Sequence, residues 1–102
     1  MKANQRACIA SIVMALSTNK EISSVYSYEL SKYVMLSGSA TNQDVQLYDY
    51  SRSCYLTGNG DSHGSFSLFD YGENKFITLN IKSDQFDGYD FGSKYHFFRH
   101  NK

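Results

Sequence analysis

Polar and apolar residues alternate through residues 45–51, Val45-Gln46-Leu47-Tyr48-Asp49-Tyr50-Ser51. The pattern returns as Phe66-Ser67-Leu68-Phe69-Asp70-Tyr71-Gly72 and Phe86-Asp87-Gly88-Tyr89-Asp90-Phe91-Gly92. Each copy has an apolar residue, two variable positions, then aromatic, Asp, aromatic, and Ser or Gly. A fainter copy, Val25-Tyr26-Ser27-Tyr28-Glu29-Leu30-Ser31, places Glu29 where the others have Asp. The four acids are 20, 21 and 20 residues apart, the near-constant period left by a repeated supersecondary unit. A side-chain period of two puts Val45, Leu47 and Asp49 on one strand face and Tyr48 and Tyr50 on the other.

Each clear copy reads as a strand that enters a short polar turn and leaves along a second strand. The turns are Ser51-Arg52-Ser53, Gly72-Glu73-Asn74-Lys75 and Gly92-Ser93-Lys94, short enough for hairpin loops, with returning strands from Tyr55, Phe76 and Tyr95. An acid at the end of the incoming strand can accept a hydrogen bond from the amide two residues on. That gives Glu29, Asp49, Asp70 and Asp90 a structural role as turn acids. Residues 25–36 alone fit a helical stripe of Tyr26, Leu30, Tyr33 and Val34; alignment with the clearer copies predicts strand.

The expected fold is one mainly β domain over 1–102, with four hairpin-sized units near 25–44, 45–65, 66–85 and 86–100. Their roughly eight short strands form an antiparallel meander, which must roll into a small barrel or sandwich to shield apolar faces. The absence of proline suits uninterrupted ladders.

Residues 1–21 break the pattern. Ile9, Ile12, Val13 and Leu16 recur at helical period among alanines, predicting one N-terminal helix of about four turns packed against the β body. Its other face, with Ser11, Met14 and Thr18, is only weakly polar, so most of its girth is expected to be covered. A rival reading is a weak signal peptide cleaved after residue 17, with Lys2 and Arg6 as its charged start. The helix reading implies a cytoplasmic protein; the rival implies a secreted or periplasmic one.

Ten basic and ten acidic residues leave no formal net charge, which disfavours nucleic acid or anionic membrane as a partner. No apolar run is long enough to cross a membrane as a helix. Cys8 and Cys54 are too few for a disulfide framework and read as two ordinary thiols. Nine Tyr and seven Phe all lie between Tyr26 and Phe98, more than one face of a small core requires.

Motifs with a chemical look carry little. Gly60-Asp61-Ser62-His63-Gly64 fits a nucleophile-elbow pattern, but strand rather than helix follows it. Asp84, Asp87, Gly88 and Asp90 lack the spacing and bidentate Glu of a calcium loop. His96 and His100, with Asp61 and His63 remote, make a poor metal set. The tail from Tyr95 to Lys102 mixes aromatic and basic residues, a weak signal for single-stranded nucleic acid. The sequence therefore predicts no catalytic residues, metal or cofactor.

The expected function is a non-enzymatic protein-interaction module presenting Tyr48, Tyr50, Phe69, Tyr71, Tyr89 and Phe91 on a β surface. The alternative is a secreted or surface module that recognises sugars or cell-wall fragments through aromatic hairpins. In unit size these are similar to the choline-binding solenoids of bacterial surface proteins, which are rich in Trp where this chain has none. Exposed edge strands would also let copies of the chain pair.

Overall fold

The computed structural model describes residues 1–83 and 85–100. The elements run α1 (Ala3–Thr18), β1 (Val25–Ser27), β2 (Lys32–Val34), β3 (Leu36–Ala40), β4 (Asp44–Asp49), β5 (Cys54–Gly60), β6 (Ser65–Asp70), β7 (Lys75–Lys82), β8 (Gln85–Asp90) and β9 (Tyr95–His100). Strands β3 to β9 form one antiparallel meander in sequence order, and β1 and β2 form a separate two-stranded sheet. The fold is mainly β with one helix. Of the expected barrel or sandwich, a closed barrel is not formed: β3 and β9 are the two margins of an open sheet. Closure is unnecessary because α1, rather than a second β layer, covers the inner face.

Helix α1 begins where the Lys2 amide donates to Gln5 Oε1 at 2.9 Å and ends at Asn19, which takes a left-handed conformation (φ 55°). Its buried residues are Gln5, Ala7, Cys8, Ile9, Ser11, Ile12 and Ala15, while Arg6, Met14 and Ser17 remain exposed. The sheet meets it with Leu36, Val45, Leu47, Leu56, Phe66, Leu68, Ile77 and Leu79. Complete burial of such side chains stabilises by about 1.5–3 kcal/mol each. The helix supplies five of the fifteen buried apolar side chains among the described residues, so loss of residues 1–17 would uncover the sheet.

Alternation along each strand sorts the two faces. In β4, Val45, Leu47 and Asp49 are buried under α1 while Asp44 and Gln46 are exposed and Tyr48 is half-buried. The first margin, β3, carries Gly38 at its middle, whose φ of +133° suits glycine and where a Cβ would stand 1.9 Å from the Gln46 carbonyl oxygen. The segment before β1 then lies against it, with the Ile22 amide donating to the Gly38 oxygen at 3.0 Å.

Candidate outer-face binding surface

The three hairpins β4–β5, β6–β7 and β8–β9 share four-residue turns at 50–53, 71–74 and 91–94, each ending in a left-handed residue: Ser53, Asn74 and Lys94. At each turn the carboxylate that closes the incoming strand accepts from the amide two residues on. The distances are 3.1 Å for Ser51 to Asp49, 2.8 Å for Gly72 to Asp70 and 2.9 Å for Gly92 to Asp90. All three aspartates face inward and are essentially sealed from solvent.

Glu29 is placed differently. The β1–β2 turn spans 28–31 and ends in left-handed Ser31, so the position equivalent to Asp49 is Ser27, whose Oγ accepts from the Leu30 amide at 3.1 Å. Glu29 lies within the turn, and its carboxylate takes the Arg6 guanidinium, with Nε at 2.9 Å and Nη2 on the second oxygen.

On the outer side the incoming strand's last outward aromatic, the first turn residue and an aromatic on the returning strand form a cluster of edge-to-face rings. Tyr48 lies 4.9 Å from Tyr50 and 4.8 Å from Tyr55; Phe69 lies 4.9 Å from both Tyr71 and Phe76. Tyr89 lies 4.8 Å from Phe91 and 6.0 Å from the His96 ring. Such pairs contribute about 0.5–1.5 kcal/mol beyond area burial. Tyr26 builds the same cluster with Tyr28 at 5.0 Å and Tyr33 at 5.2 Å.

Tyr48, Phe69 and Tyr89 are half-buried at the centres of their clusters, whereas Tyr50, Tyr71 and Phe91 are more than half exposed. Tyr55, Phe76 and His96, outside the binding set expected from the sequence, complete the clusters and are also exposed. The signal was available: an aromatic or His ring stands five residues after Tyr28, Tyr50, Tyr71 and Phe91 alike.

Register spreads these rings across the sheet. Ser37 pairs with Tyr48 and Tyr48 with Tyr55; Thr57 pairs with Phe69 and Phe69 with Phe76; Thr78 pairs with Tyr89 and Tyr89 with His96. Each hairpin is thus offset by two residues from the one before, giving a stepped aromatic band. Between the rings stand Gln46, Thr57, Asn59, Ser67, Thr78 and Asn80, all uncharged, with Asp44 and Lys82 at the ends of their strands and Asp87 within β8 opposite Asn80. At one end Ser37, Gln46, Tyr48, Tyr50 and Tyr55 line a shallow depression, where Ser37 Oγ and Tyr50 Oη are 3.1 Å apart.

The inner side of the turns holds a different chemistry. Arg52 joins two hairpins: its Nε donates to Asp49 Oδ2 at 2.8 Å and its Nη1 to Asp70 Oδ2 at 3.0 Å. Gln5 Nε2 donates to Asp70 Oδ2 at 2.9 Å, tying the helix to the same carboxylate. Burial pushes the Asp49 carboxyl up, but hydrogen bonds from Arg52 and Ser51 outweigh it and leave Asp49 below the ordinary carboxylate range. Burial pushes the Cys8 thiol up to about 12, with the Asp49 charge adding to it, which removes its nucleophilic form near neutrality.

The remaining motifs do not assemble. Ser62 and His63 lie in an exposed turn between β5 and β6, where Asp61 Oδ1 accepts from the His63 amide at 2.8 Å. Asp87 faces outward beside His96 while Asp90 is buried inward, so these two carboxylates do not converge; Asp84 is outside the described residues. Among the described residues no group of three or more His, Cys, Asp or Glu side chains could hold a metal ion, and no helix is long and apolar enough to cross a membrane. Comparison with protein-family models, curated proteins and solved structures finds no match to this chain.

Proposed function

We propose that the chain is a non-enzymatic protein-interaction module that binds through the outer face of its seven-stranded sheet. The observation that carries this reading is a face made mostly of aromatic and uncharged polar side chains, broken within the sheet by Asp87, with Tyr50, Tyr55, Tyr71, Phe76 and Phe91 each more than half exposed. Interface cores are depleted in charge and enriched in Tyr and Phe, and Tyr with Ser and Asn gives large contact area at small entropic cost. A partner sheet laid on this face would complete the two-layer sandwich that the open sheet alone lacks. A reducing, cytoplasmic setting fits two unbridged thiols.

A second reading, recognition of a sugar, draws on the depression beside Tyr48, Tyr50 and Tyr55, where the Gln46 amide and the Ser37 hydroxyl flank aromatic rings. The experiment compares wild type with a Tyr50→Ser, Tyr71→Ser, Phe91→Ser variant in crosslinking capture from the natural host, beside an array of glycans. A protein captured by wild type and lost by the variant, with circular dichroism showing the variant still folded, supports the interaction reading. Identical capture removes the outer face from it, and glycan binding abolished by the same variant transfers the face to the second reading.

A further inference from the structure

The two margins of the large sheet differ. β3 is covered: besides the Ile22 contact, the Leu36 amide donates to Ser24 Oγ at 3.1 Å, so residues 22–24 lie where a further strand would. β9 pairs with β8 along its length, and among the described residues no strand lies beyond it. On the helix side of β9 a cavity of about 210 Å³ opens between strand and α1, lined by Ile9, Ala10, Phe86 and Phe97, with Arg6 and Arg99 contributing cations. An open strand margin beside a helix, with a groove between them, is a geometry in which an extended peptide can add as another strand. Its main chain continues the ladder while alternate side chains drop into the groove.

Charge selects the peptide. Lys94 and Arg99 are both exposed at the two ends of β9, and Arg6 at the groove is paired with Glu29. Among the described residues the nearby acids are turned away or paired: Asp90 is buried beneath its turn, Asp87 lies on the opposite face, 3.8 Å from His96, and exposed Glu29 is held by Arg6. A second copy pairing at this edge would add another Lys94 and Arg99 to a margin that is already basic, which is unfavourable. We propose that β9 is a docking edge for an extended acidic peptide of another protein, its apolar residues seated against Ile9, Phe86 and Phe97 and its carboxylates near Arg99 and Lys94. This edge is separate from the outer aromatic face, and either surface can fail without the other.

The test uses fluorescent peptides of about eight residues, a usual strand length. One alternates Glu with Val and Phe, one has Lys for Glu, and one is the acidic peptide N-methylated at alternate amides so that it cannot extend a ladder. The acidic peptide is expected to bind and to slow amide exchange in β9, the other two to bind about tenfold more weakly or worse, and Arg99→Glu to weaken the acidic peptide about tenfold. Arg99→Gln, which adds no acid, should give a smaller loss in the same direction, and circular dichroism checks that both variants fold. No binding, equal binding of the N-methylated peptide, exchange protection confined to β3 or other strands, or indifference to both Arg99 variants overturns the proposal. Tighter binding of an oligothymidine than of the acidic peptide assigns the basic margin to nucleic acid and overturns it too.

Discussion

Arg52 Nη1 reaches both carboxylate oxygens of Asp70, at 3.2 and 3.0 Å, from the turn of the preceding hairpin. The pair is largely withdrawn from water, with the Arg52 side chain 15% exposed and that of Asp70 fully buried. Burial lowers the tendency of Arg52 to hold its proton, but the bond to Asp49 and the field of Asp70 raise it more, so the guanidinium stays charged. Arg52→Met should therefore strand two buried carboxylates and cost about 3–5 kcal/mol, measured by urea unfolding at neutral pH. Arg52→Lys, which keeps the charge but loses the planar fork, should cost less.

The depressed Asp49 carboxyl sets a pH dependence. A folded-state value below the ordinary 3.8 means that its contribution is fully present above the unfolded value and is lost as pH falls through the folded one. The stability difference between wild type and Asp49→Asn should be flat from about pH 5 to 7 and shrink below about pH 4. Urea midpoints across that range check it; a gap that widens on acidification would contradict the assignment.

Thiol reactivity separates the two cysteines. Cys8 is sealed under the sheet and pushed up to about 12, while burial raises half-buried Cys54 to a lesser degree. A colorimetric disulfide reagent at neutral pH should leave Cys8 unmodified in the native protein and modify Cys54 slowly. Both should react at once in guanidinium.

The two sheet faces should respond unequally to truncation. Leu68→Ala on the buried face should cost about 2–5 kcal/mol, the usual range for a buried leucine. Tyr71→Ser on the outer face, where the ring is more than half exposed and pairs with Phe69, should cost only about 0.5–1.5 kcal/mol. Thermal or urea unfolding distinguishes them.

Gly38→Ala tests the close approach of β3 to β4. Its positive φ and a Cβ held 1.9 Å from the Gln46 oxygen leave no room to relax without breaking the β3–β4 register. The loss should exceed the roughly 1 kcal/mol of an ordinary Gly-to-Ala mismatch, read as a lowered unfolding midpoint.

What was legible in the chain was local. Asp49, Asp70 and Asp90 stand two residues before the amides they bind, so strand alternation and turn chemistry suffice to find them. Glu29 misled because Tyr28-Glu29-Leu30 imitates an aromatic–acid pair, whereas the ring five residues after Tyr28 places the copy two positions earlier, on Ser27. Partners distant along the chain left no comparable trace. The Arg52–Asp70 and Gln5–Asp70 contacts depend on how hairpins and helix stack, which no periodicity encodes. Whether the sheet closes was also hidden, since it depends on α1 filling the space that a second layer of strands would otherwise occupy.

Helix α1 leaves the ribosome ahead of every strand that will shelter it. Its apolar flank meets Leu68, Ile77 and Leu79 in one core, and its Gln5 waits for the Asp70 carboxylate at the end of β6. During synthesis this flank can rest first on β1 and β3, the strands nearest along the chain, but it is fully covered only once Leu68, Ile77 and Leu79 have emerged. Shelter for the helix is therefore completed late, and a stalled ribosome would hold out a half-covered apolar helix to whatever chaperone or aggregate reaches it first.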